Sequence, residues 1–439
     1  MKREATLFQQ FLRYVSLNVC GMIGLSGYIL ADTYFVAKGL GANGLASLNL
    51  AIPIYSFVHG SGLMLGMGGA TKYTIMRGQG NEKQANRLFS QAVCLCMMLA
   101  AAFLLMGIFL SGRITALLGA DSEIYDMTRT YIRVILLFSP AFMLNDIFNC
   151  FVRNDGNPGL SMGAMLAGSL ANIALDYVFI FPLGMGILGA VLATGVAPLI
   201  GIAVLSRHWS GKKSHISLVR PADPMKLTAS ILSLGAPSLI TEVASGVVMI
   251  VCNTIILGLL GNIGVAAYGV VANLSLVVTS IYTGIAQGAQ PLVSRAFGCG
   301  DKKGVKQGTK YAIITVLVCS ACIYAVFFAA ADPITGLFNS EGNMQLQKIA
   351  VEGMRLYFTA IAFVGVNLML SVFFTSTEQA LPAQLISLSR GFFVVIPMAL
   401  LLSGLFGMTG VWLSYGVTEG IVALAGTAYY FRAEAYKNR

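Results

Sequence analysis

Long apolar segments recur along the whole chain and are separated by short polar stretches. A membrane-spanning helix needs about 20 mostly apolar residues, and the sequence contains twelve segments of this kind. In the first half they run over 13–35, 45–76, 88–112, 129–152, 158–181 and 187–207. In the second half they run over 230–257, 265–296, 309–330, 349–374, 380–401 and 408–431. The pattern predicts an all-α integral membrane protein with twelve transmembrane helices.

The second half of the chain repeats the first. The segment GANGLAS at 41–47 aligns with GNIGVAA at 261–267, and at the same offset of 220 Gly78 falls on Gly298. Further glycine pairs at offsets of 220 or 221 are Gly80 with Gly300 and Gly186 with Gly407. Because each half has an even number of spans, both halves enter from the same side, as in repeats related by a pseudo-two-fold axis along the membrane normal. We therefore predict a six-helix bundle over 1–207, a basic linker over 208–226 and a second six-helix bundle over 227–439.

The composition narrows the class of protein. Apolar residues make up 56% of the 439 positions and charged residues only 10%, whereas a soluble domain carries about 25% charged residues. This scarcity of charge excludes a soluble enzyme, a disordered chain and a nucleic-acid-binding protein, even though the net charge is +10.

The basic residues indicate the orientation. With the N-terminus inside, 21 of the 28 Lys and Arg residues fall in segments on the cytoplasmic side, and 6 fall outside. Cytoplasmic loops of membrane proteins carry an excess of Lys and Arg. We therefore expect both termini to lie in the cytoplasm.

Two acidic residues of the first half lie inside predicted spans. At about 1.5 Å per helical residue, Asp32 and Asp176 both lie roughly 27–28 Å along helices that run in the same direction, so they share one depth. Asn172 is one helical turn from Asp176, and Thr194 on the sixth span comes within reach of this level. Since burial and mutual repulsion both disfavour two charged carboxylates, the pattern indicates a proton or Na⁺ site. The alternative is that Asp32 is an ordinary helix-end residue at the membrane interface.

Three charged residues of the second half fall near the middle of the membrane: Glu242, Arg390 and Glu419. An Arg between two Glu is typical of a neutralising structural network, because a buried charge is tolerated when it is paired. Alternatively, Glu242 faces a cleft and recognises a cationic substrate; the structural role is favoured for Arg390 and Glu419. Asp146, near the end of the fourth span, is explained as a membrane-interface residue.

Motifs for other energy sources and chemistries are absent from the sequence. The fragment SGKKS at 210–214 lacks the upstream Gly and the Ser or Thr after Lys that a phosphate-binding loop needs. The three His and eight Cys have no metal-ligand spacing, and no G-x-S-x-G occurs. We expect a protein that is not an enzyme, holds no metal and no cofactor, and either uses an ion gradient or transports passively.

Together these features resemble the multidrug and toxic compound extrusion (MATE) family. The resemblance rests on two parallel six-helix halves, Asp32 on the first span, the N-x-x-x-D of Asn172 and Asp176 on the fifth, and Gly-rich ends of the second and eighth spans. Within that family the sequence is similar to the MepA-type bacterial exporters. The resemblance implies a V-shaped pair of bundles in the bacterial cytoplasmic membrane. It also implies export of bulky, often cationic, amphipathic drugs in exchange for H⁺ or Na⁺, by a chain that we expect to be monomeric.

The resemblance also assigns candidate residues. Asp32, Asn172, Asp176 and Thr194 match the cation site that some branches use in their first half. Glu242 matches an acid on the seventh span that other branches use in their second half. Those branches place a further acid on the tenth span. Here the deep polar residues of 349–374 are neutral, such as Asn367 and Ser371, which favours the first-half site.

Two rival functions remain at this point. A lipid-linked saccharide flippase of related fold would need several cationic residues lining the cleft to meet phosphate, and Arg390 is the one deep basic residue in the predicted spans. A membrane-embedded enzyme would need a polar catalytic cluster at one membrane face, and the sequence contains none. A non-transporting scaffold leaves the buried acids unexplained.

Overall fold

The computed structural model describes residues 6–211, 214–220, 224–339 and 342–437, with side chains to residue 432. The helices of the first half are α1 (Leu7–Gly78), α2 (Glu82–Phe109), α3 (Ser111–Leu117), α4 (Tyr125–Leu137), α5 (Ser139–Asn154), α6 (Pro158–Ile180) and α7 (Gly186–Leu205). Those of the second half are α8 (Pro224–Gly298), α9 (Lys302–Ala329), α10 (Ala331–Phe338), α11 (Met344–Tyr357), α12 (Ile361–Ser376), α13 (Ala380–Leu388) and α14 (Val395–Lys437).

Three of these helices each contain a break between two spans. The backbone leaves helical geometry at Gly41 in α1, at Gly261 in α8 and at Gly407 in α14, with φ of 67°, 64° and 58°. Only glycine adopts such a φ without steric cost. When α1, α8 and α14 are each divided at this break, the helices account for the twelve predicted spans. The predicted separations between spans one and two, seven and eight, and eleven and twelve are thus single glycines, not loops.

The backbone repeats at the offsets found in the sequence. Gly80 and Gly300 have φ of 77° and 73°, and Gly186 and Gly407 have φ of 61° and 58°. Both members of each pair end or begin a helix at corresponding places in the two halves. The repeat is therefore one of conformation as well as of sequence, and the fold is two six-helix bundles.

The fourth span is bent in the middle. Helices α4 and α5 meet at an angle of 49°, and Pro140 stands in the first turn of α5. Proline is accommodated there because the first turn of a helix has no partner for its N–H. The tenth span is likewise made of two helices, α11 and α12, joined by a short 3₁₀ segment.

The halves meet at the end of the bundle where α1 begins and where both α1 and α8 finish, which we call the terminal face. A Cβ on Gly68 would lie 2.7 Å from the backbone N of Gly235, and one on Gly288 would lie 2.8 Å from Cα of Val15. These two contacts are equivalent, since 68 and 288, like 15 and 235, differ by 220. The interface between the halves is therefore built symmetrically, with glycine allowing backbones to approach closely.

Polar side chains also join the halves near the terminal face. Arg153, only 2% exposed, donates from its guanidinium to Gln287 Oε1 at 2.9 Å across the interface and to Asn18 at 3.2 Å. Further cross-half contacts link Asn154 to Gln290 and Gln290 to Thr71, and an ion pair links Lys72 to Glu378. Every described hydrogen bond between the two halves lies toward this face.

The predicted linker is packed against the first half. Lys212, Lys213 and 221–223 lie outside the described residues. Over 214–220 the chain forms no helix or strand, and the N–H of Ser217 donates to Asn86 Oδ1 at 3.0 Å and that of Val219 to Ser90 Oγ at 2.8 Å. Ile216 is buried in the hydrophobic core of the first half.

The carboxylate of Asp155, just after α5, also holds the linker. It accepts from the ring of His208 at 2.9 Å, from the backbone N–H of His215 at 2.9 Å and from the hydroxyl of Tyr73 at 2.9 Å, and it pairs with Arg77. Burial by itself raises the pKa of this carboxyl. The hydrogen bonds from His208, His215 and Tyr73, together with the charge of Arg77, outweigh burial and lower the pKa below its ordinary value.

Candidate functional site

The four predicted first-half residues come together inside the first bundle. Asp32 lies on α1, Asn172 and Asp176 lie on α6, and Thr194 lies on α7. Asp176 and Asn172 are fully buried, and Asp32 is 8% exposed. The predicted common depth of the two aspartates agrees with their positions, since their carboxyl groups are within hydrogen-bonding reach of each other.

Asn172 connects Asp176 to the neighbouring helix. With its amide oriented to satisfy both groups, the Asn172 nitrogen donates to Asp176 Oδ2 at 2.9 Å and its oxygen accepts from the backbone N–H of Thr194 at 3.3 Å. The Thr194 hydroxyl donates back to Ala190 in its own helix at 3.1 Å. Thr194 thus contributes its backbone rather than a free hydroxyl to this site.

One oxygen on each aspartate, Oδ1 of Asp32 and Oδ1 of Asp176, is buried without a hydrogen-bond partner. Neither carboxyl is paired with a basic side chain among the described residues. Two facing carboxyl groups without a compensating cation repel when both are ionised. The arrangement is therefore able to take up a proton or a small cation between the two acids.

Tyr131 is a neighbour that the sequence pattern did not single out. This buried residue of α4 lies beside Thr194 and close to both Asp32 and Asp176. Tyr28 and Tyr55, both on α1, place their hydroxyls 3.2 Å apart on the same side of the bundle. In the sequence, these residues appear only as tyrosines within apolar segments. Tyrosine is too common in such segments for this pattern to single out these three.

In the second half, the structure places Arg390 against Glu419. Arg390 lies in a π-turn at Ser389–Phe393, and its Nε lies 2.9 and 2.8 Å from the two Glu419 carboxylate oxygens. Asn367 donates to the same carboxylate at 2.7 Å. Glu242 takes no part in this described pairing. The expected network of Arg390 with two glutamates is therefore a pair with one glutamate.

Glu242 instead lies between the halves, near two groups of the first half. His59 Nδ1 is 2.9 Å from Asp146 Oδ2, and Glu242 is near enough to act electrostatically on both His59 and Asp146. The interpretation of Asp146 as a membrane-interface residue is wrong, because Asp146 is only 7% exposed and faces His59.

His59 is a site residue that the spacing of the three histidines, which is not that of metal ligands, does not reveal. The available signal was a single titratable side chain in the middle of an apolar span, the same criterion that found the acids. Including His59, the structure contains two clusters of titratable side chains. One is the Asp32–Asp176 pair within the first half, and the other is His59, Asp146 and Glu242 across the junction of the halves.

Comparison with known proteins identifies the family. Residues 19–178 and 237–401 match the family model described as MatE. The chain belongs to the MatE family. The two matched regions correspond to the two halves, and the resemblance expected from the sequence is confirmed.

MatE relatives of similar length cover nearly the whole chain. A protein described as multidrug export protein MepA, from Staphylococcus saprophyticus, is 27% identical over 426 residues, covering 96% of this chain and 93% of the relative. A protein of the same description from Staphylococcus aureus strain MRSA252 is 26% identical over 427 residues, with the same coverage of both chains.

Solved structures show the same fold. An outward-facing multidrug resistance MATE transporter of the MOP superfamily matches with a TM-score of 0.92 at 20% identity, over 99% of this chain and 98% of that one. A mutant form of a Vibrio cholerae MATE transporter matches with a TM-score of 0.90 at 20% identity, over 97% of each chain. The two six-helix bundles of this MatE chain are therefore the fold of these transporters.

Proposed function

We propose that this protein exports bulky, often cationic, amphipathic drugs or toxins in exchange for H⁺, by alternating access; Na⁺ is the other candidate ion. The buried contact between the carboxyl groups of Asp32 and Asp176 carries the proposal. The described function of the MepA relatives, multidrug export, supports the substrate class. We place the chain in the bacterial cytoplasmic membrane as a monomer of two bundles.

The geometry of the two carboxyls favours a proton as the coupling ion. Two carboxyl groups in contact are stable when they share a proton, since two bare carboxylates repel. A bound Na⁺ needs several oxygen ligands, and the Asn172 amide would have to present its oxygen, rather than its nitrogen, toward Asp176 to supply one of them. A shared proton needs no such change, which is the reason for preferring H⁺ in this proposal.

The contacts between the halves support alternating access. The described hydrogen bonds and the contacts of glycines with backbone atoms between the bundles lie toward the terminal face, which we propose is cytoplasmic because the basic residues concentrate there. A cation that binds from the opposite side can drive export only if it favours the conformation that releases the drug outside.

The lipid-linked saccharide flippase is less well supported. Its anionic substrate needs cationic side chains free to bind phosphate. The guanidinium of Arg390 is engaged by Glu419, and that of Arg153 is engaged by Asn18 and Gln287 at the terminal face. These contacts hold both guanidinium groups against other side chains of the protein, which disfavours their binding a phosphate.

The proposal is tested by transport in vesicles. The purified protein is reconstituted, and efflux of a fluorescent lipophilic cation is followed under an imposed pH gradient and then under an Na⁺ gradient without a pH gradient. We expect the pH gradient to drive transport and Asp32→Asn to abolish it. Asp126→Asn, which changes an exposed aspartate in the first turn of α4, is the matched control and is expected to transport normally.

Each outcome bears on a different part of the proposal. Transport driven by the Na⁺ gradient alone would show that the coupling ion is Na⁺ and not H⁺. Full transport by Asp32→Asn would show that Asp32 is not part of the coupling site. Transport that responds to neither gradient would contradict the proposed antiport mechanism.

A further inference from the structure

A second titratable cluster lies where the two halves meet. His59 on α1 and Asp146 on α5 belong to the first half, with His59 Nδ1 2.9 Å from Asp146 Oδ2. Glu242 on α8 belongs to the second half and acts electrostatically on both. The cluster therefore contains groups from both moving bodies, whereas Asp32 and Asp176 both lie in the first half.

Two glycines beside His59 make room for the acids. A Cβ on Gly60 would lie 3.0 Å from Cβ of Glu242, and one on Gly62 would lie 2.6 Å from Asp146 Oδ2. Gly60 thus lets the second half approach, and Gly62 lets the Asp146 carboxyl reach the same helix. A Cβ at Gly60 would press on the Glu242 side chain, and a Cβ at Gly62 would force the Asp146 carboxyl to move.

The Asp146 carboxyl is incompletely satisfied. It is more than nine-tenths buried, and its Oδ2 accepts no hydrogen bond of good geometry although His59 lies 2.9 Å away. The His59 side chain retains 18% exposure, so water can reach the imidazole. Besides Asp146 and Glu242, the titratable group facing His59 is Tyr55, whose ring stacks on the imidazole with centroids 5.7 Å apart.

We propose that His59 is a second proton-binding site, held between Asp146 of its own half and Glu242 of the other half, and that it binds its proton most tightly when the halves are closed at the terminal face. When Asp146 and Glu242 are both ionised, a protonated imidazole between them leaves a net charge of −1, and a neutral imidazole leaves −2. Protonation therefore attracts Glu242 to the first half, and deprotonation leaves two carboxylates facing each other across the junction.

Imidazole is the side chain whose ordinary pKa lies nearest neutral pH, so this cluster responds in the range where a cell maintains a pH gradient. A ligand that binds one conformation more tightly shifts the population toward it. The inference goes beyond the proposed exchange of drug for a proton at Asp32 and Asp176, and proton binding at His59 is testable without any substrate.

The test measures the distance between the two halves at the terminal face. Spin labels are attached at Lys83→Cys and Lys303→Cys, exposed positions in the first turns of α2 and α9, after the exposed native cysteines are replaced by serine. Pulsed electron resonance then gives the populations of short and long distances at pH 6 and pH 8, in nanodiscs without drug. Asp32→Asn is present throughout, which removes the contribution of the first site.

In that background we expect the ratio of closed to open protein to be about fivefold or more higher at pH 6 than at pH 8. His59→Gln and Glu242→Gln should each abolish the difference. His59→Lys, which carries a fixed positive charge, should keep the protein closed at both values. Glu352→Gln, which changes an exposed carboxyl on the opposite side of the molecule, should preserve the difference.

A pH response that persists in His59→Gln would overturn the proposal, as would its complete absence in Asp32→Asn alone. The rescue of closure by His59→Lys distinguishes a charge effect from a folding defect. If instead the vesicle assay shows no antiport while this pH response is present, the proposed function fails and the second proton site stands.

Discussion

Gly78 and Gly298 meet backbone to backbone across the two halves. A Cβ on Gly78 would lie 3.0 Å from Cα of Gly298 and 2.9 Å from the carbonyl oxygen of Arg295. The two glycines are equivalent positions of the repeat, 220 residues apart. Equivalent residues can touch each other only close to the axis that relates them, so this contact marks the pseudo-two-fold axis at the terminal face.

The first prediction concerns this contact. Gly298→Val should prevent full closure at the terminal face, because a branched side chain cannot fit against the backbone of α1 near Ile75. We expect loss of most drug efflux and a shift of the Lys83–Lys303 label pair to longer distances, with normal membrane insertion. Gly246→Val is the control, since a Cβ at Gly246 meets no atom within 4 Å. Normal efflux by Gly298→Val would show that closure here is not required.

The second prediction concerns the ion pair of Arg390 with Glu419. Removing one partner of a buried pair leaves an uncompensated charge and costs about 3–5 kcal/mol. Glu419→Leu should therefore lower the melting temperature strongly, whereas the double variant Arg390→Leu with Glu419→Leu should recover much of the loss. Heating followed by size-exclusion chromatography measures this. A double variant as unstable as the single one would assign Arg390 a role beyond neutralisation.

The third prediction concerns Lys72 and Glu378, which pair across the halves. Both side chains are partly exposed, so the pair is worth only about 1 kcal/mol. Lys72→Glu should favour the open terminal face by roughly that amount, because two acids then face each other. The exchange of both charges, Lys72→Glu with Glu378→Lys, should restore the wild-type distance distribution of the label pair. Failure of this restoration would show that the contact does not stabilise closure.

The fourth prediction concerns Asp155 and pH. Its pKa is lowered in the folded protein, so it contributes stability above the ordinary pKa of aspartate, about 3.9, and loses that contribution as the pH falls toward the folded value. Asp155→Asn should cost about 3 kcal/mol at pH 7. Its melting temperature should approach that of the wild type below about pH 4. A gap that stays constant over this range would assign the effect to packing instead of charge.

The periodic distribution of apolar residues was sufficient to predict the twelve spans. Burial in lipid requires each span to be a long uninterrupted apolar helix, and that requirement is visible in a single sequence. The glycine breaks at Gly41 and Gly261 were visible as repeat matches, but not as the points where the chain turns. A glycine in an apolar segment is also typical of close helix packing, and the two uses cannot be distinguished by composition.

The proximity of the two aspartates in the candidate site was predictable from their depth along their helices. Asp32 and Asp176 were matched by counting rise per residue along α1 and α6, and the structure brings their carboxyls together. The same counting placed Asp146 near the end of its span, but depth alone does not show which side chain a residue faces, and Asp146 faces His59. The proximity of Glu242 to His59 depends on how the two halves dock, which no local pattern encodes.

The anchored linker limits how the two halves can move. Val219 is fixed to Ser90 on α2, and α8 begins at Pro224, so five residue steps connect the first half to the second. An extended chain covers at most about 3.6 Å per residue, or roughly 18 Å in all. While the hydrogen bond between Val219 and Ser90 holds, the start of α8 stays within that distance of the surface of α2. The linker thus limits how far the two halves can separate at this corner.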